Sequence, residues 1–227
     1  MFAQVMQGRT SDPEGLRAAL DRWMAELQPG AVGWLGSTTG VTDDGRAVLV
    51  ARFESADAAA RNSQRPEQGA WWEATARIFD GEVAFQDSDD VTVETVGDPD
   101  RAGFVQVMAG QVTDPERAKE VMAQLPLEAM AQMRPDILGT LMIGQDEGRW
   151  TQVIYFTSEA EAREGERKDP PPEFAAMMEE LTRISMGEPT FLDLRTPLLH
   201  SPDRPAVVPP PRAPEAQVEE RMPAAPQ

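Results

Sequence analysis

The chain has 227 residues, of which 41% are hydrophobic and 26% charged, so it is long enough for two modest globular units with hydrophobic cores. Its formal net charge of −18 argues against nucleic acid or an anionic membrane surface as a partner, because both bind basic surfaces. The absence of cysteine excludes disulfides, thiolate metal sites and cysteine nucleophiles.

The sequence also lacks the usual signals for export and membrane insertion. It has no run of about eighteen apolar residues. No basic segment followed by an apolar core occurs at its start. We therefore expect a cytoplasmic protein that does not span a membrane.

The first thirty residues predict a strand and a helix. The short apolar run Phe2–Gly8 is typical of a strand. The helix begins either with a capping box from Ser11 to Glu14 or with Asp12 as N-cap and Pro13 as the first helical residue. Apolar residues at spacings of three and four follow, and Pro29-Gly30 ends the helix.

The next segment predicts a hairpin, a helix and a further strand. Strands over 31–41 and 47–54 are joined by an Asp-Gly turn at Asp43–Arg46. An alanine-rich helix opens at Ser55, is interrupted near Pro66 and continues to Phe79. Residues 82–86 form the fourth strand, and 91–96 a short extra one. The unit is β-α-β-β-α-β.

The chain then repeats this unit. The stretch Phe2–Glu14 returns as Phe104–Glu116, and Asp146–Arg149 repeats the hairpin turn. Tyr155–Ser158 corresponds to residues 52–55, and 187–191 to 81–85 at a slightly larger offset. The sequence thus predicts a tandem duplication with a small insertion in the second copy, where Pro126 also breaks the first helix before a restart at Leu127.

Three segments follow from these boundaries. We predict one repeat over residues 1–98 and a second over 103–195, with Pro99 marking the junction. From Thr196 onward prolines are frequent and apolar periodicity disappears, so 196–227 is predicted to be a disordered proline-rich tail.

The duplicated unit predicts the fold class. A β-α-β-β-α-β unit is ferredoxin-like, with helices on one face of an antiparallel sheet and a bare second face. Two copies in one chain can cover each other's bare faces. We therefore predict an α+β protein in which two ferredoxin-like units form an intramolecular α/β barrel, as a monomer with pseudo-twofold symmetry.

At this level the sequence resembles the dimeric α/β-barrel superfamily, in particular small proteins of the antibiotic-biosynthesis-monooxygenase type. The resemblance rests on Phe53–Ala58, on Phe156–Ala160 and on the order of elements, and it covers residues 1 to about 195. It implies a cofactor-independent oxygenase, a haem-degrading or other haem protein, or a protein of no known activity. The sole histidine, His200, lies at the edge of the tail, which departs from the haem-binding branches. We predict no cofactor and no metal site.

The predicted barrel interior supplies the ligand-binding residues. Strand alternation groups Phe2, Gln4 and Met6 on one face, and Gln106 and Met108 share the corresponding face in the second copy. The smaller Ala3 and Val5 suit close packing by helices, so we expect Gln4 and Gln106 to face the interior. There each amide either binds a polar ligand or pairs with its twin or water.

The copies diverge at two further positions. Trp34 corresponds to Ile137, and Arg52 corresponds to Tyr155, the single tyrosine. In a cofactor-free oxygenase, Trp34 would help to bind a small apolar or aromatic ligand, Arg52 would stabilise an enolate and Tyr155 would hold an oxygen atom. The alternative is a non-catalytic binding or interaction module with a filled core. The sequence leaves open whether the protein is an enzyme.

Overall fold

A computed structural model describes residues 1–124 and 131–202. The predicted helix break at Pro126 and restart at Leu127 lie outside these residues, as does most of the tail.

The first repeat contains three helices and four strands of its own, followed by a fifth strand. These elements are β1 (Phe2–Arg9), α1 (Pro13–Glu26), β2 (Trp34–Val41), β3 (Arg46–Phe53), α2 (Ala56–Ser63), α3 (Pro66–Ala76), β4 (Ala84–Ser88) and β5 (Val91–Thr95).

After a one-turn 3-10 helix at Pro99–Arg101, the second repeat follows the same order. Its described elements are β6 (Phe104–Gln111), α4 (Pro115–Met122), β7 (Ile137–Gly144), β8 (Arg149–Phe156), α5 (Glu159–Glu166), α6 (Pro172–Ile184), β9 (Thr190–Leu194) and β10 (Leu198–His200). The predicted tandem ferredoxin-like organisation and the α+β class are confirmed.

The helix starts follow one of the two predicted capping schemes. Asp12 is the N-cap of α1, and its Oδ1 accepts a hydrogen bond from Gly15 N at 2.8 Å, with Pro13 as the first helical residue. Asp114 caps α4 in the same way, accepting from Arg117 N at 3.0 Å. A proline at this position loses no hydrogen bond, because the first helical N–H groups have no partner within the helix.

The strands form two five-stranded antiparallel sheets that exchange their last strands. The first sheet has the order β10-β2-β3-β1-β4, and the second has the order β5-β7-β8-β6-β9. Thus β5 leaves the first repeat to extend the second sheet, and β10 returns from the second repeat to extend the first. The exchange links the two repeats through main-chain hydrogen bonds.

The two sheets pack face to face, but in the described residues they do not close into a hydrogen-bonded barrel. Each keeps two edge strands, which are β10 and β4 in one sheet and β5 and β9 in the other. The contact between them is a core of small and branched side chains that includes Ala3 and Val5 from one sheet and Val105 and Val107 from the other. The closed barrel of the sequence prediction is therefore corrected to a two-sheet sandwich covered by helices.

The prediction of which strand face looks inward was wrong. Ala3 and Val5 face the opposite sheet, whereas Met6 packs under α1 with Leu16 and Leu20. Short and β-branched side chains allow two sheets to approach closely, while the gap between a sheet and its helices takes longer side chains. Gln4 and Gln106 consequently lie on the helix-covered faces.

The first residues of the predicted disordered tail are ordered in a strand. Leu198, Leu199 and His200 are buried and pair with Thr39, Thr38 and Ser37 of β2. Two adjacent leucines can bury one side chain on each face of a sheet, and here Leu198 joins the core under α1 while Leu199 joins the core between the sheets. These residues therefore form a strand of the fold, although the proline-rich composition of the segment predicted disorder. Residues 203–227 lie outside the described part of the chain.

Candidate functional site

A cavity of about 180 Å³ lies between the two sheets, where the exchanged strands meet β2 and β7. Its walls come from both repeats. The lining residues are Ser37, Thr38, Arg52, Val93, Glu94, Thr95, Pro99, Asp100, Thr140, Leu141, Tyr155, Leu199 and Ser201.

Equivalent positions of the two repeats line the cavity. Arg52 faces Gly36 across its strand pair, and Tyr155 faces Gly139 in the same way. Leu199 pairs with Thr38 as Val93 pairs with Leu141. Nearly every wall residue therefore has a counterpart on the opposite wall, and the two repeats share one cavity instead of each enclosing its own. Glu94 and the linker residues Pro99 and Asp100 are the wall residues without such a counterpart.

A local irregularity of β2 positions Arg52. The register of β2 against β3 shifts between Trp34 and Gly36, and Gly36 has φ +133°, which glycine adopts without steric cost. A Cβ at this glycine would lie 2.7 Å from both Arg52 Nη2 and the carbonyl oxygen of His200. The missing side chain thus leaves the space in which the guanidinium rests against β2.

Arg52 has little to neutralise it within residues 1–124 and 131–202. Its Nη2 donates a long hydrogen bond of 3.4 Å to the carbonyl of Leu35. Among the described residues it forms no ion pair with a carboxylate. A half-buried cation without a counter-ion is a binding group for an anionic or strongly polar oxygen.

Tyr155 reaches the cavity from the opposite sheet. Its ring is buried, and its hydroxyl lies 2.6 Å from Thr38 Oγ1. Burial raises the pKa of Tyr155, and the nearby guanidinium of Arg52 opposes that shift without reversing it. The phenol is therefore protonated at neutral pH and can act as a hydrogen-bond donor.

Of the seven residues that the sequence suggested, the structure brings two together in the cavity, Arg52 and Tyr155. Trp34 is buried on the helix-covered face, where its ring packs edge-on against Trp23 at 5.2 Å between centroids. Gln106 donates a hydrogen bond of 3.0 Å to Asp193. Gln4, Met6 and Met108 lie on the same helix-covered faces, and none of them lines the cavity.

The sequence did not predict the other polar residues that line the cavity. Thr38 and Ser37 stood in a predicted strand with no marked pattern, and Asp100 was interpreted only as part of the junction. Ser201 fell within the predicted tail. The divergence between Thr38 and its counterpart Leu141 was the one available signal, since it follows the same pattern as Arg52 against Tyr155.

Metal-ligand clusters and membrane-spanning helices were sought among the described residues. Within 1–124 and 131–202, no three histidine or acidic side chains are grouped as metal ligands would be. The same residues contain no helix with the length and apolar character needed to cross a membrane.

Known structures share this architecture. A proposed monooxygenase from Lactobacillus acidophilus superposes with a TM-score of 0.68 at 13% identity, over 91% of this chain and 98% of that one. A second proposed monooxygenase, from Fusobacterium nucleatum, also gives 0.68 at 11% identity, over 92% and 97% of the two chains. An anthrone oxidase-like protein gives 0.64 at 13% identity, over 89% and 94%.

The chain has the fold of these proteins. Coverage of almost the full length on both sides means that the similarity extends over both repeats. At identities of 11–13% the likeness concerns the fold alone. No family model matches the sequence, and no curated protein is similar to it.

Proposed function

We propose that this protein binds a small organic molecule between its two sheets and oxidises it with dioxygen, as a cofactor-independent enzyme of the monooxygenase type. The observation that supports the proposal is the meeting of Arg52 and Tyr155, from different repeats, in one cavity. We further propose that it acts as a monomer, since both halves of the cavity come from one chain. A cytoplasmic location is proposed from the sequence signals alone.

The size of the cavity limits the ligand. A cavity of about 150 Å³ in another protein holds benzene. The volume of about 180 Å³ between these sheets therefore suits a compound with a single ring and a few substituents. The wall includes Val93, Leu141 and Leu199, which would contact the apolar part of such a ring.

Arg52 supplies the electrostatic part of the mechanism. A substrate that forms an enolate or phenolate develops negative charge on oxygen, and a preorganised guanidinium stabilises that charge. The stabilisation is favoured here because the guanidinium is not already neutralised by a neighbouring carboxylate of the described chain. A substrate anion formed in this way is more easily oxidised than the neutral compound.

Tyr155 supplies a fixed hydrogen-bond donor. Held by Thr38 and protonated at neutral pH, it would orient the substrate oxygen or a reduced oxygen intermediate. In the overall reaction a methylene group of the substrate becomes a carbonyl group. The methylene carbon loses both hydrogens and is oxidised by dioxygen, one atom of which enters the product as the carbonyl oxygen. The other oxygen atom leaves with the two hydrogens as water, and the substrate supplies all the electrons.

A one-ring enol tests the proposal. We would titrate the protein with 1,3-cyclohexanedione, measure binding by calorimetry and follow oxygen consumption and the triketone product by mass spectrometry. Binding and turnover are expected in the wild type, and Arg52→Met should lower both at least about tenfold. Arg61→Met, which removes an exposed cation of α2 outside the cavity wall, should leave both unchanged.

The alternative is a protein that binds a ligand without transforming it. Most of the contact between the sheets is filled by tightly packed aliphatic side chains, which favours a structural role for that region. Binding of the dione without oxygen consumption would support this alternative. Absence of binding, or equal binding by the wild type and Arg52→Met, would contradict the proposal.

A further inference from the structure

The linker between the repeats closes one side of the cavity. It forms a single 3-10 turn, Pro99–Arg101, of which Pro99 and Asp100 line the cavity. Asp100 Oδ1 in this turn accepts a hydrogen bond of 2.8 Å from Ser201 Oγ, just beyond β10. The contact fixes the carboxylate at the place where the two repeats and the exchanged strand meet.

Asp100 has unused capacity to accept hydrogen bonds. A carboxylate offers about four acceptor positions. Within the part of the chain that the structure describes, Ser201 is its one side-chain partner, and no cation lies within ion-pair distance. Asp100 lines the cavity with acceptor positions that no described side chain occupies, and Glu94 of β5 adds another carboxylate to the same wall.

The cavity thus contains opposite charges that do not pair with each other. Within the described residues Arg52 forms no ion pair and Asp100 has one side-chain partner, and both act on the Tyr155 phenol electrostatically. A partly buried charge without a partner is unfavourable, so a ligand gains affinity by satisfying both groups at once. Such a ligand has an acceptor oxygen at one end and a hydrogen-bond donor at the other.

We infer that Asp100 is a specificity-determining residue and that it selects for ligands bearing a hydroxyl donor opposite the oxygen bound by Arg52. The inference rests on the proposed function and names its preferred substrate class as one-ring compounds with two oxygen functions, at least one of them a free hydroxyl, whereas 1,3-cyclohexanedione, which is largely an enolate at neutral pH, probes Arg52 alone. Compounds whose second group is itself anionic are rejected, because that charge would lie beside Asp100 and Glu94.

A matched pair of probes isolates this selection. Resorcinol and 3-methoxyphenol share a ring and one hydroxyl, but methylation removes the second donor. We expect the wild type to bind resorcinol about tenfold more tightly, as one charge-assisted hydrogen bond is lost with the methyl ether. In Asp100→Asn the preference should fall below about threefold, because the amide keeps the shape but loses the charge.

The control variant removes a carboxylate that lies outside the cavity. Asp89 is exposed in the turn between β4 and β5 and does not line the cavity, so Asp89→Asn should retain the tenfold preference. The ratio of two affinities is the decisive quantity, because a merely structural effect of Asp100→Asn would weaken both probes equally.

The possible outcomes separate this inference from the proposed function. Equal affinities of the wild type for the two probes, or an unchanged ratio in Asp100→Asn, would overturn the inference while binding sensitive to Arg52 still supported the function. Failure of resorcinol, 3-methoxyphenol and 1,3-cyclohexanedione to bind would overturn both.

Discussion

The hydroxyl of Tyr155 lies 2.6 Å from Thr38 Oγ1, and this hydrogen bond joins the two repeats inside their common core. The two residues belong to different sheets and are separated by 117 positions in the sequence. Both are almost fully buried. The contact therefore contributes to stability and at the same time holds the phenol at the cavity wall.

Removing the Tyr155 hydroxyl should destabilise the protein measurably. Tyr155→Phe leaves Thr38 Oγ1 buried without this partner, and we expect a loss of about 1–3 kcal/mol in the free energy of unfolding. Chemical denaturation followed by circular dichroism measures it. Binding of 1,3-cyclohexanedione should also weaken if the phenol orients the ligand.

A double-mutant cycle with Thr38→Val separates the hydrogen bond from other effects. In the double variant neither polar atom is left unpaired, so its destabilisation should be smaller than the sum of the two single losses, by about 1 kcal/mol. Additive losses would mean that the 2.6 Å contact contributes no coupling energy.

Gly36 should be intolerant of a side chain. In Gly36→Ala a residue with φ +133° would be strained, and its Cβ would meet Arg52 Nη2 and a backbone oxygen at 2.7 Å. We expect destabilisation of about 1–3 kcal/mol together with weaker binding of the dione, because Arg52 must move.

Gly69→Ala is the matched control for this substitution. Gly69 lies inside α3, where an added methyl group would find no neighbouring atom within 4 Å, so alanine should raise stability by about 0.5–1 kcal/mol. A thermal-unfolding comparison distinguishes the two. Equal tolerance at both positions would contradict the role assigned to the β2 irregularity.

His200 should make stability depend on pH. It is buried on β10, and neither ring nitrogen has a hydrogen-bond partner among the described residues. Burial lowers the pKa of His200 below its usual range, with Arg17 of α1 acting in the same direction and Asp21 and Asp100 opposing it. The folded protein therefore holds the ring neutral more strongly than the unfolded chain does.

The sign of the pH effect follows from this difference. The stabilisation is complete above the unfolded-state pKa of about 6.5, and it declines as the pH falls toward the lower folded-state pKa, by at most about 1.4 kcal/mol per pH unit. Denaturation at several pH values between about 7.5 and about 5 measures the slope. His200→Leu should have a flatter profile in this window, and identical profiles would show that His200 does not contribute.

The exchanged strands should make the two repeats unfold together. Each sheet loses an edge strand if the other repeat unfolds, and the core between the sheets is shared. Four of the five tryptophans lie in the first repeat, so fluorescence reports mainly on that half, whereas circular dichroism reports on both. We expect coincident transitions in urea. Two separated transitions would contradict the energetic coupling of the repeats.

Divergence between the two copies pointed to Arg52 and Tyr155 in the cavity wall, but also to Trp34, which lies outside it, and the assignment of strand faces was wrong. Arg52 and Tyr155 were singled out as divergent equivalents, and both line the cavity. Gln4 was assigned to the interior by the sizes of its neighbours, but alternation alone gives two faces without saying which covers the other sheet. Asp100 and Ser201 could not be found, because they meet only through the path of the linker and the return of β10.

The sequence by itself determined the duplication, the order of strands and helices before β10, and helix starts within Ser11–Glu14 and Thr113–Glu116, because caps, turns and periodicity act over a few residues. Only the tertiary structure decided where β5 and β10 pair. The two repeats present equivalent edges at β2 and β7, so local sequence cannot distinguish pairing within a repeat from exchange between repeats. That choice depends on long-range burial of residues such as Leu199, and it is what creates the shared cavity.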